Sequence, residues 1–208
     1  MTHEILDRIN KKCILPVGHK GPCRVEGSGK KFLHVGCGTA TRADVVVNFQ
    51  EWEEVRCDLD PAANPDIVAD LRTLDGVESE AYDGLYCSHA LEHVHSFDWA
   101  PALSAFRRVL RTGGLMFLVV PNLKGACRFI AEGHAGTFYD SPAGPIFAHE
   151  VLFGKESWTA KNLFMRHLSG FTPDLLRGVV LGAGFRPQYF SVDEFNLAIG
   201  AVKMSPEL

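Results

Sequence analysis

The sequence predicts an α/β fold built on a parallel, doubly wound sheet, and three observations carry that prediction. Short apolar runs of strand type alternate along the chain with segments of helical spacing. Successive runs end on glycine or on small polar and acidic residues: Gly36 and Gly38, then Asp58, then Asp70, then Ser88 and His89. In a parallel sheet all of these ends open onto one edge, which is where an open α/β sheet binds its ligand. Finally, 208 residues at 46% hydrophobic content suit one domain able to bury a core without staples.

The first run, Lys31-Phe-Leu-His-Val35, stops at Gly36-Cys37-Gly38. Two residues without Cβ allow positive φ there and let a ligand approach the backbone closely. Residues 43–49 are apolar and β-branched, and too little chain remains before the second strand for a crossover helix of ordinary length. The second strand covers 55–61 and ends at Asp58-Leu59-Asp60-Pro61, since proline cannot continue a ladder. A brief third strand covers 65–71 and a fourth covers 82–88, with His89-Ala90-Leu91-Glu92-His93 at its end.

Residues 98–111 place Leu103, Phe106, Val109 and Leu110 on one helical face, with Gly113-Gly114 as the expected stop. Residues 115–120 form a continuous apolar run of buried-strand type. A long insertion follows over 124–170, aromatic-rich and without clean periodicity, as in functional lids or binding insertions. Thr172-Pro173-Asp174 then opens a helix with a buried stripe of Leu175, Leu176, Val179 and Val180 and a stop at Gly184. Residues 185–192 and 196–203 close the chain as two antiparallel strands.

Ahead of this domain, 1–29 is expected to hold a short amphipathic helix over 2–12 and an irregular segment. Cys13, His19 and Cys23 there offer three zinc ligands, in a spacing that matches no common zinc pattern and lacks a fourth. The plain-loop reading is preferred, so no metal is expected. Six widely spread cysteines, none in a Cys-x-x-Cys pair, do not form a secreted disulfide framework. A net charge of −4 gives no nucleic-acid stripe. No apolar run reaches the ~18 residues of a membrane span, and no signal peptide is visible. The chain therefore reads as cytoplasmic.

A carboxylate closing the second strand suits a ribose diol, because it accepts two hydroxyl hydrogen bonds; one closing the third can accept from an adenine amine. Six features in order then resemble the class I S-adenosylmethionine-dependent methyltransferases: Leu33-His-Val-Gly-Cys-Gly38, Cys57-Asp-Leu-Asp-Pro61, Val68-Ala-Asp-Leu71, the stretch Tyr82 to Val94 with Leu91-Glu92-His93, Arg108-Val-Leu-Arg-Thr-Gly-Gly-Leu115, and Leu181-Gly-Ala-Gly-Phe185. The likeness is greatest to small bacterial members of methyltransferase type 11 and covers about 30–204. It implies a Rossmann-like, seven-stranded, three-layer α/β/α domain over 30–208, in strand order 3-2-1-4-5-7-6 with the last strand antiparallel.

The resemblance further implies S-adenosylmethionine as cofactor. Val35, Gly36, Cys37 and Gly38 would touch its methionine and ribose, Asp58 the ribose hydroxyls, Leu59 the adenine face, Asp70 and Leu71 the adenine edge, and Ser88 and His89 the sulfonium side. Ala40 stands where the family's third glycine falls. The implied activity is methyl transfer to a small-molecule or sugar-like acceptor under the 124–170 insertion. A base is needed only if the acceptor loses a proton, and His89, His149, His167 and Tyr139 are the candidates, with His93 and His134 behind them. His93 is expected to support the helix after the fourth strand. His89 and His93 stand four apart, but the metalloprotease pattern His-Glu-x-x-His is absent.

Two other readings compete. A nicotinamide-dependent reductase or epimerase would place glycine at 41, where Thr41 stands. A non-catalytic binding protein could keep the fold alone. The acceptor, the atom methylated and the oligomeric state are open at this level.

Overall fold

A computed structural model describes residues 29–205, apart from 48, 50, 142 and 143. The expected helix over 2–12 and the Cys13, His19 and Cys23 group lie outside the described residues.

Strands β1 (Lys31–Val35), β2 (Glu53–Asp58), β3 (Ile67–Val68) and β4 (Tyr82–Ser88) come first, followed by helix α1 (Trp99–Val109) and β5 (Leu110–Pro121). The insertion contributes α2 (Leu123–Ala131), β6 (Thr137–Ser141), β7 (Gly144–Phe147), α3 (Ala148–Phe153) and α4 (Glu156–Thr159). Helix α5 (Pro173–Gly182) then leads to β8 (Phe185–Val192) and β9 (Asn196–Lys203). Seven strands form one sheet in the order β3-β2-β1-β4-β5-β9-β8, and β6 and β7 pair separately. With the inserted hairpin counted, this is the expected order. Strands β1 to β5 run parallel where they pair, and β9 runs antiparallel to both β5 and β8.

The alternation of side chains along each strand splits the core into two faces. Leu33, Val35, Leu85, Cys87, Met116 and Leu118 meet α1 and α5 on one face, where Leu103, Phe106, Val109, Leu176 and Val180 are buried. Phe32, Tyr86, Phe117 and Ala198 face the other way, onto Val45, Val47, Phe49 and Trp52. That second cover is the β1–β2 connection, whose described residues hold a single 3-10 turn, Arg42–Asp44, and no crossover helix. Its aromatic rings do the covering: Phe49 lies 4.7 Å from both Phe32 and Trp52, centroid to centroid. Each such fully buried ring contributes on the order of 1.5–3 kcal/mol.

Three local expectations change. Helix α1 ends at Val109, not at the glycine pair: Leu110 already pairs with Tyr82, and the register then shifts before Gly84 meets Leu115. Gly113 and Gly114 therefore sit in the irregular start of β5. On α5, Leu175 is exposed, and Leu176 and Val180 carry the buried stripe.

The insertion folds on a small core of its own. Ala126, Phe138, Ile146, Ala148 and Val151 are buried together, with Phe129, Tyr139, Leu152 and Phe195 packed around them. Part of its aromatic content is thus cap packing. Among the described residues no helix is long and apolar enough to cross a membrane.

Candidate active site

The sheet register sets the first fact about the site. Val35 lies level with Cys57 of β2 and Cys87 of β4, and Asp58 lies level with Val68 of β3. The Gly36–Gly38 turn, Asp58, Asp70 and Ser88 therefore leave the sheet at the same edge, as the strand-end pattern requires.

The turn is held by backbone: Gly36 N and Cys37 N donate to Cys57 O at 2.8 and 3.2 Å. Gly36 has φ +64, and a Cβ there would stand 2.3 Å from the Ala90 Cβ, so glycine lets the turn seat against the end of β4. Gly38 has φ +50, and a Cβ there would meet nothing within 4 Å. The backbone is bare and open on the ligand side. Asp58 closes the turn, its Oδ2 accepting from Gly38 N at 2.7 Å and its Oδ1 from Asp60 N at 2.9 Å. An ionised carboxylate offers about four acceptor directions, so two hydroxyls can still be received. Leu59 is exposed beside it. These features fit an adenosyl group with a ribose diol.

Asp70 has a second task. Arg72 forks onto its carboxylate through Nε and Nη2, and the Arg72 backbone N donates to Oδ1 at 2.9 Å. The hydrogen-bonding Arg72 guanidinium holds the Asp70 carboxyl below its ordinary range. Leu71 is half-buried against the main core. Arg56, unnoticed in the sequence, fastens the loops of this edge by donating to the carbonyls of Gly38, Ala40, Ala63 and Asn64.

At the end of β4, Ser88 is half-buried and His89 takes φ +51, an uncommon conformation for a residue with a Cβ. His89 N donates to Val119 O at 2.9 Å, which fixes that bend and leaves the ring 41% exposed. The 3-10 turn Leu91–His93 follows, so the residues after β4 do not begin a helix directly. His93 therefore supports the cap and not a helix: its Nδ1 donates to Arg166 O at 2.9 Å.

The cap closes over this edge along the chain from 162 to 169. Asn162 Nδ2 donates to Asp60 Oδ2 at 2.9 Å. Leu168 N and Ser169 N both donate to Glu92 O, at 2.9 and 3.1 Å, and Trp99 Nε1 donates to Ser169 Oγ at 3.1 Å. Of the candidate bases, His89 and His167 are brought to the Glu92 turn, which also carries His93. His149 is exposed on α3, its ring stacked on Phe147. Tyr139 packs on Phe195 inside the cap core, and burial pushes its hydroxyl pKa up.

Glu92, which no sequence pattern marks as functional, is buried at the centre of this turn. Burial raises its carboxyl, but the His89 ring 3.6 Å away and the nearby His93 and His167 outweigh that, so the net shift is downward. Burial lowers the His167 pKa, against the pull of Glu92. The Leu91-Glu92-His93 turn was visible in sequence; nothing there linked it to His167 on the far side of the insertion.

Comparison with known proteins identifies the family and the fold. A family model described as a methyltransferase domain matches residues 17–189. No protein of curated function matches the sequence. Solved structures share the fold at low identity. One from Methanosarcina mazei, described as a SAM-dependent methyltransferase, is 15% identical with a TM-score of 0.55, over 84% of this chain and 92% of that one. An S-adenosylmethionine-dependent methyltransferase from Mesorhizobium loti is 18% identical with a TM-score of 0.55, over 85% and 92%. The Burkholderia thailandensis 1,6-didemethyltoxoflavin-N1-methyltransferase, solved with its substrate and S-adenosylhomocysteine, is 18% identical with a TM-score of 0.52, over 84% and 71%.

Proposed function

The chain belongs to the methyltransferase-domain family, and on that premise we propose that it transfers the methyl group of S-adenosylmethionine to a small-molecule acceptor held under the cap. The observation that carries this reading is the joint between Gly38 N and Asp58 Oδ2, which sets a bare, positive-φ backbone bend beside a carboxylate with acceptor capacity to spare. A structural relative solved with S-adenosylhomocysteine and 1,6-didemethyltoxoflavin supports the cofactor and a small-molecule acceptor.

When bound, S-adenosylmethionine supplies a sulfonium methyl that is already electrophilic. The chain's residues then have mainly to bind and position. Val35, Gly36, Cys37 and Gly38 present backbone to the methionine and ribose portions, and Asp58 receives the ribose hydroxyls. Leu59 flanks the adenine, with Asp70 and Leu71 at its edge, while Ser88 and His89 border the side where the acceptor enters. The cap excludes water and holds the acceptor in line, an effect that alone can supply much of the acceleration. Where the acceptor must lose a proton, the exposed His89 ring is the base best placed to take it.

Calorimetry with S-adenosylmethionine, S-adenosylhomocysteine and NAD tests the reading. Binding of both adenosyl compounds with NAD inert is the expected result. Binding of NAD alone would move the chain to the reductase class, and binding of none would make it a non-catalytic member of the fold.

A further inference from the structure

We propose that Glu92, His93 and His167 form a binding site for a divalent transition-metal ion of the zinc class, at the seam between the end of β4 and the cap. One ligating atom from each of the three lies within 4.8 Å of the other two. The set is two imidazoles and one carboxylate, which suits tetrahedral Zn²⁺ with one position left for water or an oxygen ligand.

A second, independent observation is the state of Glu92. Its side chain is 1% exposed, yet among the described residues neither carboxylate oxygen has a hydrogen-bond partner. His89 Nδ1 stands 3.6 Å from Oε1, beyond hydrogen-bond distance. A buried carboxylate without donors is costly, and a cation offsets that cost directly.

A third concerns the histidines. His93 Nδ1 bonds to Arg166 O at 2.9 Å and His167 Nδ1 to Val151 O at 2.8 Å. A carbonyl only accepts, so each Nδ1 carries the proton and each Nε2 keeps its lone pair. A carbonyl accepting from Nδ1–H in this way fixes the ring and tautomer of metal-binding histidines. The two rings meet edge to face, with centroids 5.0 Å apart at 66°. Ligand atoms about 2.1 Å from a tetrahedral ion stand about 3.4 Å apart, and the three here are already within 4.8 Å of one another. The sequence alone points to no metal, and the metalloprotease pattern is absent because Ala90, not glutamate, follows His89; here the third ligand comes from the cap. Such an ion would tie the cap to the sheet edge beside the acceptor entrance.

The test is Zn²⁺ titration calorimetry on the chelator-treated full chain, repeated with His93→Ala and His167→Ala. A Cys13→Ala/Cys23→Ala chain serves as background control, because those thiols could also bind zinc. One Zn²⁺ per chain is expected in the control, with each histidine variant binding at least about tenfold more weakly. Co²⁺ should give visible d–d bands without thiolate charge transfer, and His167→Ala should remove them. Circular dichroism of each variant establishes that it is folded. No Zn²⁺ binding in the control, or equal affinity in folded histidine variants, overturns the proposal. These readouts need no S-adenosylmethionine, so their failure is separable from failure of the methyltransferase reading.

Discussion

Asn162 and Asp60 lie 102 residues apart in sequence and are joined by a 2.9 Å hydrogen bond from Nδ2 to Oδ2. The other Asp60 oxygen accepts from Ala62 N and starts the turn after β2. One carboxylate thus serves the sheet edge with one oxygen and the cap with the other. The cap is pinned at both ends of the proposed cofactor trough: here beside Leu59, and at Glu92 O by Leu168 N and Ser169 N.

Asn162→Ala should loosen the first of these pins. Loss of one half-buried hydrogen bond costs on the order of 0.5–1.5 kcal/mol, and the effect should be local, not global. Hydrogen exchange of amides 155–165 should quicken several-fold while the strands keep their protection. Unchanged exchange in that segment would mean that the bond does not hold the cap.

Asp58→Ala should weaken cofactor binding by about 1–3 kcal/mol, through loss of a charged acceptor. It also strips Gly38 N and Asp60 N of their acceptor, so melting temperature should fall as well. Asp58→Asn keeps an acceptor oxygen for the turn and should recover stability more than affinity. Calorimetry and melting of the two variants separate these roles; wild-type affinity in Asp58→Ala would show that the carboxylate faces no ligand.

Gly36→Ala should be poorly tolerated, for two reasons that can be told apart. The backbone sits at φ +64, which costs a non-glycine residue about 1–2 kcal/mol. The new Cβ would also stand 2.3 Å from that of Ala90, and overpacking costs about 1–3 kcal/mol. Adding Ala90→Gly removes the second cost and leaves the first, so the double variant should regain part of the lost stability in urea melts. No recovery would mean that backbone strain alone accounts for the loss.

The strands and the ligand edge were legible because both rest on local signals: apolar runs, a proline at 61 and acids at strand ends; the order of the strands followed only from the family resemblance. The boundary at Val109 was not legible, because the early pairing of Leu110 with Tyr82 is a tertiary contact that no helical periodicity records. The proposed metal-ligand cluster was not legible in the sequence. Glu92 and His93 adjoin in sequence, whereas His167 reaches them through a cap whose path depends on its own core of Phe138, Ile146 and Val151. Asp70 shows the opposite case: its carboxylate stands at the predicted edge and is also gripped by Arg72 two residues on.

His34 gives the fold an acid sensitivity whose sign follows from its surroundings. It lies within β1, 3% exposed, with Nδ1 2.7 Å from Glu54 Oε1 and its ring edge-on to Tyr86. Burial lowers its pKa from the ordinary 6.5, more than the Glu54 carboxylate raises it. Between 6.5 and that lower value the unfolded chain binds a proton that the folded chain does not, so stability falls as pH falls through this window. The slope is at most about 1.4 kcal/mol per pH unit for one such group. Below the folded value both states are protonated and the contribution is flat. Urea melts from pH 7.5 to 5 in the presence of chelator should therefore show a decline that His34→Gln lessens, with His167, also lowered by burial, accounting for part of the remainder. An equal slope in His34→Gln would show that His34 takes up its proton as readily folded as unfolded.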